Sequence, residues 1–268
     1  RCVGGGGEYP PTLKASDGSH TGTATTRVTV GANTAVYPAA GGGSTGWAQV
    51  TPADEQMDST KLDQARDYSI ASALGVKESG FITRNGRLVY SWGDTATKYE
   101  MKSTTKSMGG LALLLAVDEG KLALADKASD RLTVFGTDPA VDTSAVTTGS
   151  LTDVTLLQLS THTSGLSKSD ESNWRLLFTP GTTWSYSDQG LNWLADVLTT
   201  AYAQDLNSLV RSRVFSQIGI AGPETEWREN VFRSKQLSVN GQHIERRELA
   251  SGINASVNAM ARVGLLML

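Results

Sequence analysis

Ser103-Thr104-Thr105-Lys106-Ser107-Met108-Gly109-Gly110-Leu111-Ala112-Leu113-Leu114-Leu115-Ala116-Val117-Asp118 is a hydroxyl-rich turn that runs into an apolar helical pattern. Met108, Leu111, Leu113, Leu114, Leu115 and Val117 leave little polar face, and a helix apolar nearly all round is expected to be buried. Gly120 punctuates its end. Ser103 and Lys106 stand at i and i+3, on one face. A serine hydroxyl is a weak nucleophile until a base takes its proton. A lysine serves as that base where burial or a neighbouring cation disfavours its ammonium form. The helix N-terminus adds a positive dipole end for a developing oxyanion. The competing reading is an N-cap serine followed by a solvated lysine. With 27 serines and 10 lysines in 268 residues, about one Ser-x-x-Lys is expected by chance. The pair gains weight only from its surroundings.

Upstream, Gly80 to Tyr90 places two β-rich runs around Asn85-Gly86, a strong hairpin signal. Before it, Asp58 to Leu74 reads as an amphipathic helix with Leu62, Ala65, Ile70 and Ala73 near one face. Downstream, Pro180-Gly181 marks a tight turn into Thr182-Thr183-Trp184-Ser185-Tyr186-Ser187-Asp188. Tyr186 opens a helical pattern there. It is either a proton relay beside Lys106 or a core tyrosine bonded to backbone. Helices are expected over about 152–160, 188–203, 205–217 and 255–267, and strand signals are scarce after 121.

The first 46 residues hold eleven of the 28 glycines, including Gly4–Gly7 and Gly41–Gly43. Such runs carry a large conformational entropy. Residues 1–46 read as a tether with a short extended piece, and 47–268 as the domain that holds Ser103, Lys106 and Tyr186. Thr23 to Val30 looks like a strand by its β-branched content, similar to the last strand of an immunoglobulin-like module. That suggests a secreted, periplasmic or cell-surface protein.

The formal charge of −3 gives no general attraction to nucleic acid. One cysteine excludes an internal disulfide framework and a cysteine-built metal site. Three scattered histidines argue against a histidine-built one. The apolar stretch from Leu111 to Val117 is too short to span a bilayer. Cys2 before four glycines hints at a lipoprotein tether, against which Arg1 stands. Gly42-x-Ser44-x-Gly46 mimics a nucleophile elbow but sits in a glycine linker. His162 reads as a residue ordering its loop, with a Ser-His pair as the alternative. Arg246-Arg247, between glutamates, reads as a solvated surface.

Taken in order, these motifs resemble the serine β-lactamase and penicillin-binding-protein-like superfamily. The resemblance is nearest to class C β-lactamases, family VIII carboxylesterases, D-alanyl-D-alanine peptidases and 6-aminohexanoate-oligomer hydrolases. It covers about 47–268. It rests on Val50-Thr51-Pro52, the hairpin, Ser103-Thr-Thr-Lys106-Ser107, Val117 to Leu122, Leu156 to Leu166, Pro180 to Asp188, and Ala250 to Ile253 leading to Leu266. The resemblance implies an α+β fold of the β-lactamase/transpeptidase type: an antiparallel sheet flanked by helices, with a mainly helical subdomain. It implies that Ser103 is the acylated nucleophile, Lys106 accepts its proton, and Tyr186 relays the proton and later activates water. Asp188 stands where many members have asparagine. A carboxylate offers no N–H to a substrate carbonyl, which favours a small ester or amide substrate over a β-lactam. No metal or organic cofactor is implied. A D,D-peptidase or β-lactamase, and a homologue that acylates without turnover, are the alternatives.

The family's Lys-Thr-Gly or His-x-Gly strand has no match after residue 190. His20-Thr21-Gly22 lies on the wrong side of the chain. The sequence ends at Gly264-Leu265-Leu266-Met267-Leu268, inside a helical pattern. The expectation is that the last strands lie beyond Leu268, or come from a partner segment or chain.

Overall fold

The computed structural model describes residues 8–9, 12–16, 21–25, 28–29, 37–72, 78–135, 141–142, 151–168, 174–231 and 233–268. The chain divides into two units, Arg1–Val36 and Tyr37–Leu268. The first carries β1 (Glu8–Tyr9), β2 (Thr12–Ser16), β3 (Thr21–Thr25) and β4 (Val28–Thr29). β1 pairs antiparallel with β4, and β2 with β3. The strand expected over 23–30 is thus divided between β3 and β4, with 26, 27 and 30 outside the described residues. Cys2 and His20 also lie outside them.

The second unit begins at Tyr37, not at Trp47. Arg262 shows why. Its side chain is fully buried, and its guanidinium donates to the carbonyls of Pro38 (2.8 Å), Ala39 (2.7 Å) and Ile218 (2.9 Å). A buried cation needs acceptors for its N–H groups. Supplying them binds residues 38 and 39 into the body, so the glycine-rich stretch is not merely a tether.

In α1 (Ser59–Ser72) only Leu62 is buried, and Ile70, expected on the core face, is exposed. β5 (Gly80–Arg84) and β6 (Arg87–Trp92) form the expected hairpin. Asn85 and Gly86 both take positive φ, 52° and 74°, the backbone a two-residue turn of this hand requires. β7 (Lys98–Glu100) leads through a 3₁₀ turn, Lys102–Thr104, into α2 (Thr105–Asp118). Then follow α3 (Ala128–Arg131), β8 (Val141–Asp142), α4 (Leu156–Ser160), β9 (Trp174–Arg175), α5 (Asp188–Tyr202) and α6 (Leu206–Val210). The last elements are β10 (Thr225–Trp227), β11 (Gln236–Val239), β12 (Gln242–Glu245), β13 (Ile253–Ser256) and α7 (Val257–Met267).

Two corrections follow. Strands do occur after residue 121. β13 is the centre of an antiparallel sheet ordered β10-β13-β7, with Trp227 opposite Ile253 and Tyr99 opposite Ala255. α2 is not buried all round, because Leu114 is 62% exposed. The helix enclosed on every side is α5, in which Gln189 to Thr199 are all buried. The core joins Met108 and Ala112 of α2 to Leu156 and Leu159 of α4 and Leu194 and Leu198 of α5. Gly109 lets α2 approach its neighbours closely: a Cβ there would lie 2.3 Å from Leu249 Cδ1 and 2.8 Å from the Trp227 ring.

Candidate active site

Ser103 sits in the turn before α2, and β13 fixes that turn. Met101 N–H donates to Ile253 O at 2.9 Å, and Ile253 N–H donates to the buried Thr105 Oγ1 at 3.0 Å. Lys102, just before the serine, is held at φ 47°, a left-handed conformation uncommon outside glycine. Its ammonium pairs with Glu100 at 2.7 Å. Glu100 also takes Arg228, which is bonded to the fully buried Glu248.

The structure brings Ser103, Lys106, Tyr186 and Asp188 together. Tyr186 Oη donates to Ser103 Oγ at 2.6 Å. Lys106 Nζ reaches Ser103 Oγ at 3.4 Å, Asp188 Oδ1 at 2.6 Å and Ala250 O at 2.7 Å. It also lies 4.7 Å from the Tyr186 ring centroid. A carboxylate and a carbonyl can only accept, so two lysine N–H bonds are committed to Asp188 and Ala250. The third tetrahedral position faces the serine. There an ammonium donates, and an amine offers its lone pair.

Tyr186 precedes the helix it was expected to open. Ser187 is the N-cap of α5, its Oγ accepting Gly190 N–H at 2.9 Å, and Asp188 is the first helical residue. This cap aims Asp188 back at α2. His162, expected to order its loop or to form half of a Ser-His pair, stacks on the Tyr186 ring at 4.6 Å between centroids. Its Nδ1 accepts Ser187 N–H at 3.1 Å. Burial and the nearby Lys106 charge hold its pKa below the ordinary 6.5, against the opposing pull of Asp188. Trp184 stands edge-on to His162 and is 62% exposed.

Ala250 O and Asn192 were not expected as parts of the site. Asn192 is buried in α5, and its Oδ1 accepts Ala250 N–H at 3.1 Å, fixing the peptide next to the carbonyl that meets Lys106. The Gly42–Gly46 mimic lies in a turn, remote in kind from a strand-to-helix elbow. Arg246 and Arg247 are not solvated. Both are mostly covered and pair with Asp196 and Asp205. Among the described residues no histidine, cysteine, aspartate and glutamate cluster could hold a metal ion. Nor is any helix there long and apolar enough to cross a membrane.

The fold is shared with several solved structures. D-alanine carboxypeptidase AmpC from Burkholderia cenocepacia superposes with a TM-score of 0.57 at 22% identity, over 78% of this chain and 64% of that one. The octameric penicillin-binding protein homologue from Pyrococcus abyssi gives 0.58 at 17% identity, over 78% and 56%. EstCE1, described as a hydrolase with promiscuous acyltransferase activity, gives 0.58 at 17% identity, over 76% and 71%. The chain thus spans less than two thirds of the length of the first two. No curated protein matches the sequence. The model of the Beta-lactamase family matches residues 79–268, a span that contains every residue of the Ser103–Lys106–Tyr186–Asp188 cluster. With most of its length covered by that match, the chain belongs to the Beta-lactamase family.

Proposed function

We propose that this chain is the part of a serine hydrolase that carries the nucleophile, acting through an acyl-enzyme on a carboxylic ester or small amide. The observation that carries the reading is the 2.6 Å contact between Tyr186 Oη and Ser103 Oγ, with Lys106 Nζ 3.4 Å away. Ser103 Oγ attacks the acyl carbon as its proton passes to the Tyr186–Lys106 pair. The carbonyl π pair moves onto oxygen, where the start of α2 favours negative charge. Collapse of that intermediate breaks the bond to the leaving group, which takes the proton back from the pair. Water then attacks the acyl-enzyme, gives its proton to the same pair, and releases the acid and the serine hydroxyl.

Asp188 favours an ester or small amide over a β-lactam. Its carboxylate is engaged by Lys106 and presents no N–H to a substrate carbonyl. Hydrolysis of p-nitrophenyl butyrate compared with nitrocefin tests this choice. Ester turnover with little β-lactam turnover is expected, and brisk β-lactam turnover without ester turnover would overturn it.

A further inference from the structure

We propose that His162 is a positioning residue for Tyr186, holding the phenol on Ser103 only while its imidazole is neutral, so that protonation of His162 releases the contact and silences the serine. The proposal rests on the reading of Ser103 as nucleophile for its functional consequence, but its geometry stands apart from that reading.

Three contacts converge on the segment that carries Tyr186. The His162 and Tyr186 rings stack with their planes 23° apart. His162 O accepts Ser185 N–H at 2.9 Å, on one side of the tyrosine. His162 Nδ1 accepts Ser187 N–H at 3.1 Å, on the other. His162 itself is held at φ 62°, an unusual backbone for a side-chain-bearing residue, and this is where the chain turns to present both its carbonyl and its ring. Tyr186 is thus clamped through both flanking residues and through its own face.

The Nδ1 bond depends on protonation. A neutral imidazole with its proton on Nε2 leaves Nδ1 free to accept. The imidazolium carries a proton on both nitrogens and accepts nothing. Ser187 N–H then faces an N–H, and the N-cap that sets Asp188 loses its support. The charged groups acting on the imidazole are Lys106 from α2 and Asp188 from α5, with the Tyr186 phenol stacked on it. Lys106 disfavours a second positive charge and Asp188 opposes that effect. Burial adds to Lys106 and keeps the clamp closed to below the ordinary histidine range.

The test uses the whole chain. The protonation midpoint of His162 is measured by NMR with labelled histidine, its signal identified by loss in His162→Asn. Crystals are then equilibrated about 1.5 pH units above and below that midpoint. The expected result is a Ser103–Tyr186 contact that is closed above the midpoint and open below it. In His162→Asn, whose Oδ1 accepts without titrating, the contact stays closed at both pH values. A contact that remains closed with His162 protonated overturns the proposal, whether or not the variant folds. In parallel, the rate of Ser103 labelling by a fluorophosphonate should fall about tenfold per pH unit below the midpoint. If the contact opens as expected while Ser103 is labelled at no pH, the nucleophile reading fails and the clamp survives.

Discussion

Asp188 Oδ1 accepts a hydrogen bond from Lys106 Nζ at 2.6 Å, a contact made across 82 residues of sequence between the first turns of α5 and α2. It joins the two helices at the serine and gives the lysine a fixed anionic partner. Side chains only 12% and 26% exposed keep much of that attraction from being screened.

Replacing Asp188 by alanine should therefore misplace Lys106 while sparing the core. Loss of one charge-assisted hydrogen bond is worth about 1.5–3 kcal/mol, so ester kcat/KM should fall roughly 10- to 150-fold. Asp188→Asn should recover part of that loss and raise acylation by β-lactams. Steady-state kinetics with both substrate types measure the two effects.

Tyr186→Phe keeps the ring that stacks on His162 and removes only the hydroxyl that meets Ser103. Catalysis should drop by about 10²- to 10⁴-fold, the usual scale for a lost proton-transfer group. The melting temperature should stay within a few degrees of the parent, as the packing is unchanged.

Gly109→Ala tests the packing behind the site. The added methyl meets Leu249 Cδ1 at 2.3 Å and the Trp227 ring at 2.8 Å. Overpacking of this kind costs about 1–3 kcal/mol. Because Leu249 precedes Ala250, the displacement should also loosen the carbonyl on Lys106. Denaturant unfolding and ester kcat should both register it.

Arg262→Met leaves the buried carbonyls of Pro38 and Ile218 without their donor. Stability should fall by roughly 3 kcal/mol or more. The loss should be seen in full-length protein and in a chain beginning at Tyr37 alike, because every acceptor involved lies at or beyond residue 38.

The pH dependence of stability carries a signature of His162. Its folded pKa lies below the ordinary 6.5, so the unfolded chain binds more protons between the two values. Stability should be fully present above about pH 6.5 and decline as pH falls toward the folded value. His162→Asn should remove that slope from a series of urea melts.

The sequence made some of this legible and hid the rest for identifiable reasons. Asn85-Gly86 announced its hairpin because β-rich runs flank it on both sides. Asn240-Gly241 carries the same dipeptide at positive φ, 50° and 79°, and joins β11 to β12. Its signal is weak because those strands are four residues long and offer only Leu237, Val239 and Ile244 as buried apolar positions. β13 is equally short and runs directly into α7, so the helical pattern masks it. The nucleophile motif and the Tyr186 loop have distinctive side chains in a recognisable order. Ala250 contributes a backbone carbonyl, which no residue type reveals. Asn192 looks like any polar residue in a helix, and only the fold shows that it is buried against the Ala250 peptide. The helix enclosed all round is α5 rather than the more apolar α2. Burial of α5 is set by the layers around it, and its polar residues Gln189, Asn192 and Asp196 are covered along with the apolar ones.

The most direct measurement is intact-mass analysis of the whole chain after reaction with a fluorophosphonate, with peptide mapping of the adduct. A single increment on Ser103, absent in Ser103→Ala and slowed by Lys106→Ala, is the expected result. An adduct on another residue, or ester hydrolysis that persists undiminished in Ser103→Ala, would contradict Ser103 as the nucleophile.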